Sequence, residues 1–264
     1  CEENRLELYY QPIVPIGSNR DPRGHYELLL RMRNEQGELI GPAEFIPAAE
    51  RYGMMPTLDR WVIRTLFSTV GEMWREAGED HLPSRLCSIN LSGASINDEY
   101  FPEFLRDQIA LYRIPPAALC FEITETVAIT NLARAREFIL NLKEIGCRFA
   151  LDDFGSGMSS FAYLKDLPVD YLKIDGLFVK DMVHDPVDFA MVEAINRIGH
   201  VMGIQTIAEF VEDDAILEKL RTLGVDFAQG YGICRPRPLE QGTAAHYRLP
   251  EEGSGQQGRI HSQV

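Results

Sequence analysis

No two cysteines in the sequence stand in a CxxC arrangement; the five present (Cys1, Cys87, Cys120, Cys147 and Cys234) are scattered. A disulfide framework or a zinc site is therefore not expected, and a reducing cytosol is the natural setting. Cys87 and Cys120 fall inside apolar strand patterns, where a free thiol acts as a small packing residue rather than a nucleophile. Long apolar runs are also missing: none approaches the ~18 residues needed to cross a bilayer, and no secretory leader pattern opens the chain. Positive charge is in deficit, with 26 Lys and Arg against 40 Asp and Glu, a formal net charge of −14. Such a surface repels polyanions, which argues against sequence-independent binding to DNA or RNA. A Gly-rich turn opening a helix, the mark of a dinucleotide-binding open sheet, is absent too.

What is present is ordinary globular composition, 45% hydrophobic and 25% charged over 264 residues. A single α/β barrel of roughly 250 residues fits that length. The chain starts at Cys1 and enters a strand pattern almost at once, so it reads as a piece of a longer protein. Two strands come first, Leu6–Ile16 and Tyr26–Arg33, joined by GSNRDPRG, which is too short for a crossover helix and makes them antiparallel neighbours. Helical patterns follow at Pro42–Tyr52 and Thr57–Glu79. From there strands alternate with helices. The strands are Arg85–Ser92, Ala118–Glu125, Arg148–Phe154, Tyr171–Gly176, Gln205–Val211 and Phe227–Tyr231. The helices are Asp98–Arg113, Asn131–Ile145, Ser160–Leu167, Pro186–Met202 and Asp213–Leu223, three of them closed by Gly146, Gly203 and Gly224 as C-caps. Repeated βα units imply a parallel sheet buried on both faces. Eight strands close a barrel, so the expected fold is a TIM-like (β/α)8 barrel with one antiparallel leading strand. An open doubly wound sheet is the structural alternative. One domain over residues 1–245 is expected, followed by a polar, Gly-rich, disordered tail at 246–264.

Barrel strands ought to be continuous apolar runs, and these are interrupted by rule. Glu27 interrupts YELLLR, Asn90 SINLS, Glu122 CFEITE and Asp152–Asp153 ALDDFGSG. Lys173 interrupts YLKID, Glu209 IAEFVE and Gln229 AQGYG. Strand period two puts Glu27, Leu29 and Arg31 on one face, as it does Ser88, Asn90 and Ser92, and Glu122 and Thr124. If those faces point inward, five carboxylates, an amide and one ammonium converge at the C-terminal end of the barrel, where barrel active sites are built. Unpartnered buried carboxylates are costly, and divalent cations relieve that cost. Oxygen donors without His or Cys suit Mg²⁺ or Mn²⁺ better than Zn²⁺. Any one of these residues alone reads as a rim residue or half of a salt bridge, with Lys173 neutralising Asp175. Recurrence once per strand does not read that way. Asp166, Asp170 and Glu193 read as surface or capping residues.

The motifs YYQPIV, ELLLR, SINLS, FEITE, LDDFGSGMSS, LKID, AEFVE and AQGYG, in that order, resemble the EAL domain of bacterial cyclic di-GMP phosphodiesterases across roughly residues 5–242. Glu27-Leu28-Leu29 stands where the family has Glu-Ala-Leu, and GYGICRP departs from the commoner GYLFSKP, with Pro236 kept. The resemblance implies two divalent cations, Mg²⁺ or Mn²⁺, with Ca²⁺ inhibitory. Glu27, Asn90, Glu122 and Asp152 match the ligands of the first metal; Asp152 with Asp153 matches those of the second. Glu209 matches a residue beside the catalytic water, assigned as general base, and Lys173 one that holds that water or a phosphate oxygen. Gln11, Leu29, Arg31 and Gln229 are implied around the substrate. Glu125 is implied to fix the loop holding Gly155, Ser156 and Gly157. The family further implies a homodimer through the helices after the fifth and sixth barrel strands, near Ser160–Leu167 and Asp185–Val192. It also implies upstream sensor or diguanylate cyclase-type domains, in a cytoplasmic portion of a multidomain protein that is compatible with membrane attachment. The implied activity is hydrolysis of cyclic di-GMP to linear 5′-pGpG. The rivals are a receptor that binds without cutting, which typically lacks the metal ligands or the loop pattern, and a Schiff-base aldolase built on Lys173.

Overall fold

The structure, a computed structural model, describes residues 5–16, 24–76, 85–156 and 161–239. The first strand, β1 (Leu6–Pro15), is antiparallel to both of its barrel neighbours, β2 (Gly24–Arg33) and a strand from the far end of the chain. A two-residue strand β3 (Leu39–Ile40) hangs on the end of β2. Helices α1 (Pro42–Arg51) and α2 (Met55–Glu76) lead to β4 (Arg85–Asn90). The order then runs α3 (Gly93–Asn97), α4 (Phe101–Tyr112), β5 (Leu119–Thr124), α5 (Glu125–Thr130), α6 (Leu132–Lys143), β6 (Arg148–Phe154) and β7 (Tyr171–Ile174). It finishes with α7 (Gly176–Val179), α8 (Pro186–Val201), β8 (Gln205–Ala208), α9 (Asp214–Leu223), β9 (Phe227–Ala228) and β10 (Arg237–Pro238).

From β2 through β4, β5, β6, β7, β8 to β9 every pairing is parallel, and β9 returns to β1. Eight strands thus close into the expected TIM-like barrel with one antiparallel leading strand; β3 and β10 extend its rim. The expected C-terminal tail at 246–264 lies outside the described residues.

The barrel interior is layered by strand period. Ile13, Cys120, Ala150, Tyr171, Ile207 and Phe227 pack with Leu86 into an apolar plug. His25 joins it, its ring 5.3 Å from Tyr171 and 6.1 Å from Phe227, with Nε2 2.8 Å from the Ser88 hydroxyl. Each strand therefore fills the centre with one side chain, as small barrels do. Two residues away along each strand on the same inward face, or four on β4 where Ser88 intervenes, stand Gln11, Glu27, Asn90, Glu122, Asp152, Lys173, Glu209 and Gln229. Burial pushes the Cys87 thiol up to about 12 and raises Cys120 as well, which keeps both as inert packing residues.

Local chemistry ends the strands earlier than the apolar runs suggest. Asp175 accepts a hydrogen bond from the Leu177 N–H at 2.8 Å, so the segment read as strand to Gly176 turns into α7. Asn131 caps α6, the helix expected at Asn131–Ile145, while Thr124 caps α5, an unexpected short helix ahead of it. The run Gln205–Val211 stops at Ala208, because Phe210 takes a positive φ of 52° that no strand accommodates. The run Phe227–Tyr231 likewise stops at Ala228. Of the helix expected at Ser160–Leu167, Ser160 lies outside the described residues. The rest is a 3-10 turn, Tyr163–Asp166, halted where Leu167 goes extended before Pro168. The glycines read as helix ends, Gly146, Gly203 and Gly224, all have positive φ. Asp166 and Glu193 are exposed, whereas Asp170 ties β6 to α6 by accepting from the Phe149 N–H and the Lys143 ammonium. Among the described residues no helix is long and apolar enough to cross a membrane.

Candidate active site

Of the polar residues in the upper ring, Asn90 ends β4, Glu209 and Gln229 stand one position beyond β8 and β9, and Lys173, Glu122 and Asp152 lie within two residues of the C-terminal ends of β7, β5 and β6; Glu27 lies inside the longer β2, and Gln11 on the reversed β1. Three of them share a local device. Asn90, Glu122 and Lys173 point inward, and two residues on, Ser92, Thr124 and Asp175 cap the following helix. The cap ends the strand at a defined residue and so sets the height of the side chain before it.

Lys173 is the hub. Its Nζ lies 2.7 Å from Glu122 Oε2, 2.9 Å from Asp152 Oδ1, 2.9 Å from Glu209 Oε1 and 3.4 Å from Glu27 Oε2. It makes no pair with Asp175, which is occupied as a helix cap; the simple neutralising role fails on geometry. Asn90 Nδ2 donates to Glu27 Oε1 at 2.6 Å. Gln229 Nε2 donates to Glu27 Oε2 at 2.7 Å and to Gln11 Oε1 at 3.1 Å, while Gln11 Nε2 donates to the Cys234 carbonyl at 2.8 Å. One connected network therefore takes a residue from each of the eight strands.

One ammonium does not balance this many acids. Burial by itself depresses the Lys173 ammonium, but Asp152, Glu122, Glu209 and Glu27 together hold it well above its usual range. Burial pushes Glu122 up to about 8, opposed by Lys173 and reinforced by Glu27 and Asp152. Burial likewise raises Glu209 well above the carboxylate range against the pull of Lys173. Asp153, at the exposed rim, rises to about 6 through partial loss of solvent and the charges of Asp152 and Asp175. A bound cation removes the need for these protons. The donor set fits one: carboxylate oxygens of Asp152, Asp153 and Glu209 lie within 4.8 Å of one another, and Glu122 Oε1 is buried with no hydrogen-bond partner. The acidic cluster can hold a divalent cation, and its donors are oxygens throughout.

Asp153 has a positive φ of 53°, a conformation costing about 1–3 kcal/mol for a non-glycine residue. The chain after it holds the strain in place. Ser156 Oγ donates to the Asp153 carbonyl at 2.8 Å, and the Gly155 N–H donates to Glu125 Oε2 at 3.0 Å. The other Glu125 oxygen accepts from the Tyr163 hydroxyl. Gly155 itself has a φ of 100°, and a Cβ there would meet Phe178 at 2.8 Å. Gly157 lies outside the described residues.

Above the ring opens a cavity of about 340 Å³. Gln11, Glu27, Leu29, Arg31, Glu209 and Gln229 line it, so the residues marked for substrate share one cleft with Glu27 and Glu209 of the acid cluster. Arg31 stands 5.8 Å from the Tyr9 ring centroid and donates to the Leu30 carbonyl at 2.9 Å.

The whole arrangement can be set beside known proteins. A family model for the EAL domain matches residues 1–236. The chain belongs to the EAL domain family. This EAL domain is 46% identical over 238 residues to cyclic di-GMP phosphodiesterase PdeB of Shewanella oneidensis, a match covering 90% of the chain and 27% of PdeB. It is 37% identical over 238 residues to cyclic di-GMP phosphodiesterase PdeF of Escherichia coli, covering 90% of the chain and 31% of PdeF. The chain thus spans about a third or less of these relatives. Among solved structures, the PaMucR phosphodiesterase in complex with c-di-GMP superposes with a TM-score of 0.81 at 32% identity, covering 90% of this chain and 94% of that one. The FimX EAL domain of Pseudomonas aeruginosa bound to c-di-GMP gives 0.80 at 30%, covering 88% and 91%.

Sequence reasoning missed part of the EAL domain's cleft wall: Phe210, Tyr231, Lys180 and Glu212 line it too. Phe210 and Tyr231 are half exposed, each with a cation over its ring, Lys180 at 4.4 Å and Arg235 at 4.8 Å. Two large aromatics left in solvent within motifs already singled out, AEFVE and AQGYG, were the available signal.

The raised carboxyls make the apo domain sensitive to alkali. Glu122 holds a proton when folded up to about pH 8, whereas its ordinary value is 4.5. Stability tied to that proton is complete below the ordinary value and is lost as pH rises through about 8. In excess chelator, the wild-type domain is therefore expected to lose melting temperature relative to Glu122→Gln between about pH 5 and pH 9. Parallel melting profiles for the two proteins over that range would show that the Glu122 carboxyl does not titrate there.

Proposed function

We propose that this EAL domain hydrolyses cyclic di-GMP to linear 5′-pGpG with the help of divalent cations, Mg²⁺ or Mn²⁺. The observation that carries the reading is the connected polar ring at the foot of a cleft that its members Gln11, Glu27, Glu209 and Gln229 line and that offers both charged and aromatic contacts. Relatives named cyclic di-GMP phosphodiesterases and neighbours bound to c-di-GMP support it. In this reading Glu27, Asn90, Glu122, Asp152 and Asp153 hold two cations, which when bound stabilise charge on the reacting phosphate and on the attacking and leaving oxygens.

The chain's own groups do the rest. Glu209, next to the Asp152–Asp153 pair and 2.9 Å from the Lys173 ammonium, takes the proton from the attacking water. The water oxygen forms a bond to phosphorus as the bond from phosphorus to the 3′ oxygen breaks. That oxygen takes up a proton from solvent as it leaves and Glu209 gives its own back to solvent, which leaves a 5′-phosphate and a free 3′-hydroxyl. Lys173 keeps Glu209 and Asp152 in position and retains a proton close to the reacting oxygens. Arg31, Gln11, Leu29 and Gln229 hold the dinucleotide, with Phe210 and Tyr231 available to its bases.

Two rivals weaken on particular residues. A Schiff-base lysine needs a depressed pKa and access to a carbonyl substrate, whereas Lys173 is fully buried with its ammonium stabilised. A pure receptor does not need the full acid set that this chain retains. The domain bounds at 1–245, a cytoplasmic setting and companion sensor or cyclase domains belong to the same proposal. The bifunctional diguanylate cyclase/cyclic di-GMP phosphodiesterase MucR of Pseudomonas aeruginosa, 33% identical and matched over 34% of its length, supports such companions.

Self-association is part of the reading. Leu177 on α7 and Val187 at the start of α8 are both 67% exposed, on neighbouring elements. Sedimentation should find a two-fold dimer that Val187→Asp dissociates; an unchanged dimer in that variant moves the interface elsewhere.

The deciding test is turnover. The domain is expected to convert cyclic di-GMP to pGpG with Mg²⁺ or Mn²⁺, to stop in excess EDTA, and to bind without turning over in Ca²⁺, whose looser shell misplaces the water. Full activity in chelator overturns the cation requirement, and binding without hydrolysis under every metal leaves a receptor.

Two substitutions divide the site. Glu209→Gln is expected to lower kcat by about a hundredfold or more with affinity in Ca²⁺ preserved. Arg31→Ala is expected mainly to raise KM, because a phosphate contact exists in ground state and transition state alike. Loss of binding in Glu209→Gln would reassign it to holding cation or ligand.

A further inference from the structure

Phe210 is an unusual residue to find with a φ of 52°. It has no polar side chain to offset left-handed backbone, so packing must hold it there. Gly176, the first residue of α7, supplies the close contact. A Cβ at Gly176 would lie 2.1 Å from Cδ2 of the Phe210 ring and 2.6 Å from Cγ, so the ring rests directly on glycine backbone. Lys180, just past the end of α7, sets its Nζ 4.4 Å from the ring centroid. The short helix carrying both contacts is anchored by Asp175, two residues after the buried Lys173. The orientation of an exposed ring is therefore fixed by the turn that follows the most buried strand of the ring network.

We propose that Gly176 and Lys180 are positioning residues that hold the Phe210 ring as a rigid platform for a purine base of the substrate. The inference rests on the cyclic di-GMP reading above. A stacked base gains from a ring that is already immobile, because ordering the ring on binding costs affinity. The ammonium over the ring adds a further restraint. A platform of this kind acts in substrate binding and leaves the chemistry at Glu209 alone, so its loss appears in KM.

Gly176→Ala drives a methyl into the ring and must displace it. In steady-state hydrolysis of cyclic di-GMP with Mg²⁺, Gly176→Ala is expected to raise KM at least about fivefold with kcat within about twofold of wild type. Phe210→Ala should do the same, and the double variant should be no worse than Phe210→Ala alone, since both act through one ring. An unchanged KM in Gly176→Ala, a fall in kcat alone, or effects that multiply in the double variant would overturn the proposal. A second measurement is independent of turnover: with 4-fluorophenylalanine incorporated at position 210, the fluorine resonance of the ligand-free domain should move in Gly176→Ala and in Lys180→Met. A resonance unmoved by both overturns the seat for the ring. Absence of wild-type binding and turnover of cyclic di-GMP instead removes the functional reading, with the fluorine result still reporting on the seat.

Discussion

One ammonium surrounded by four carboxylates at 2.7–3.4 Å governs this molecule. Removed from water, each of those charges is unfavourable alone, and together they persist only because each is held near the others. Lys173 fixes the directions of Glu27, Glu122, Asp152 and Glu209, and Glu27 in turn aligns Asn90 and Gln229. Burial, with the charge left over beside it, raises the proton affinity of Glu122, Asp153 and Glu209. The site is built with an unmet demand for positive charge, and that demand faces the cleft.

The barrel makes this crowding tolerable by dividing the work between layers. Below, Ile13, Tyr171, Ile207 and Phe227 shut out water and give the ring a dry floor. Above, β4, β5 and β7 end within two residues in helix caps, which set the heights of Asn90, Glu122 and Lys173. A buried network of this kind gains rigidity when all members are satisfied and is costly when one is not. The unpartnered Glu122 Oε1 marks where satisfaction is incomplete.

Legibility in the sequence followed the physics of strands. An acid or lysine inside an apolar run breaks a strong pattern, so Glu27, Glu122, Asp152 and Lys173 could be found, and period two assigned their faces. The closed sheet and its reversed first strand were readable from turn lengths. Strand ends were not, because Asp175 and Thr124 act by capping, and a capping side chain looks the same in sequence as any polar residue. Phe210 escaped for a different reason: its ring is accommodated by the missing side chain of Gly176, thirty-four positions away, and its positive φ is not readable from the residues beside it. Tyr163, which completes the hold on Glu125, lay in a stretch read as an ordinary helix.

The reversed first strand has a geometric outcome of its own. In a fully parallel barrel the first strand would start at the floor, far from the chemistry. Here Leu6 pairs with Met32 and Glu7 with Arg31, so the chain joins the barrel at the mouth, beside a residue that lines the cleft. At the other end, β10 pairs with Tyr9 and Tyr10 of that same strand. Both described ends of the polypeptide are thus moored to one lip of the opening. Anything tethered to either end by a short linker would dwell near the entrance at high effective concentration, where a change in its posture could shade or clear the doorway without touching a single acid inside.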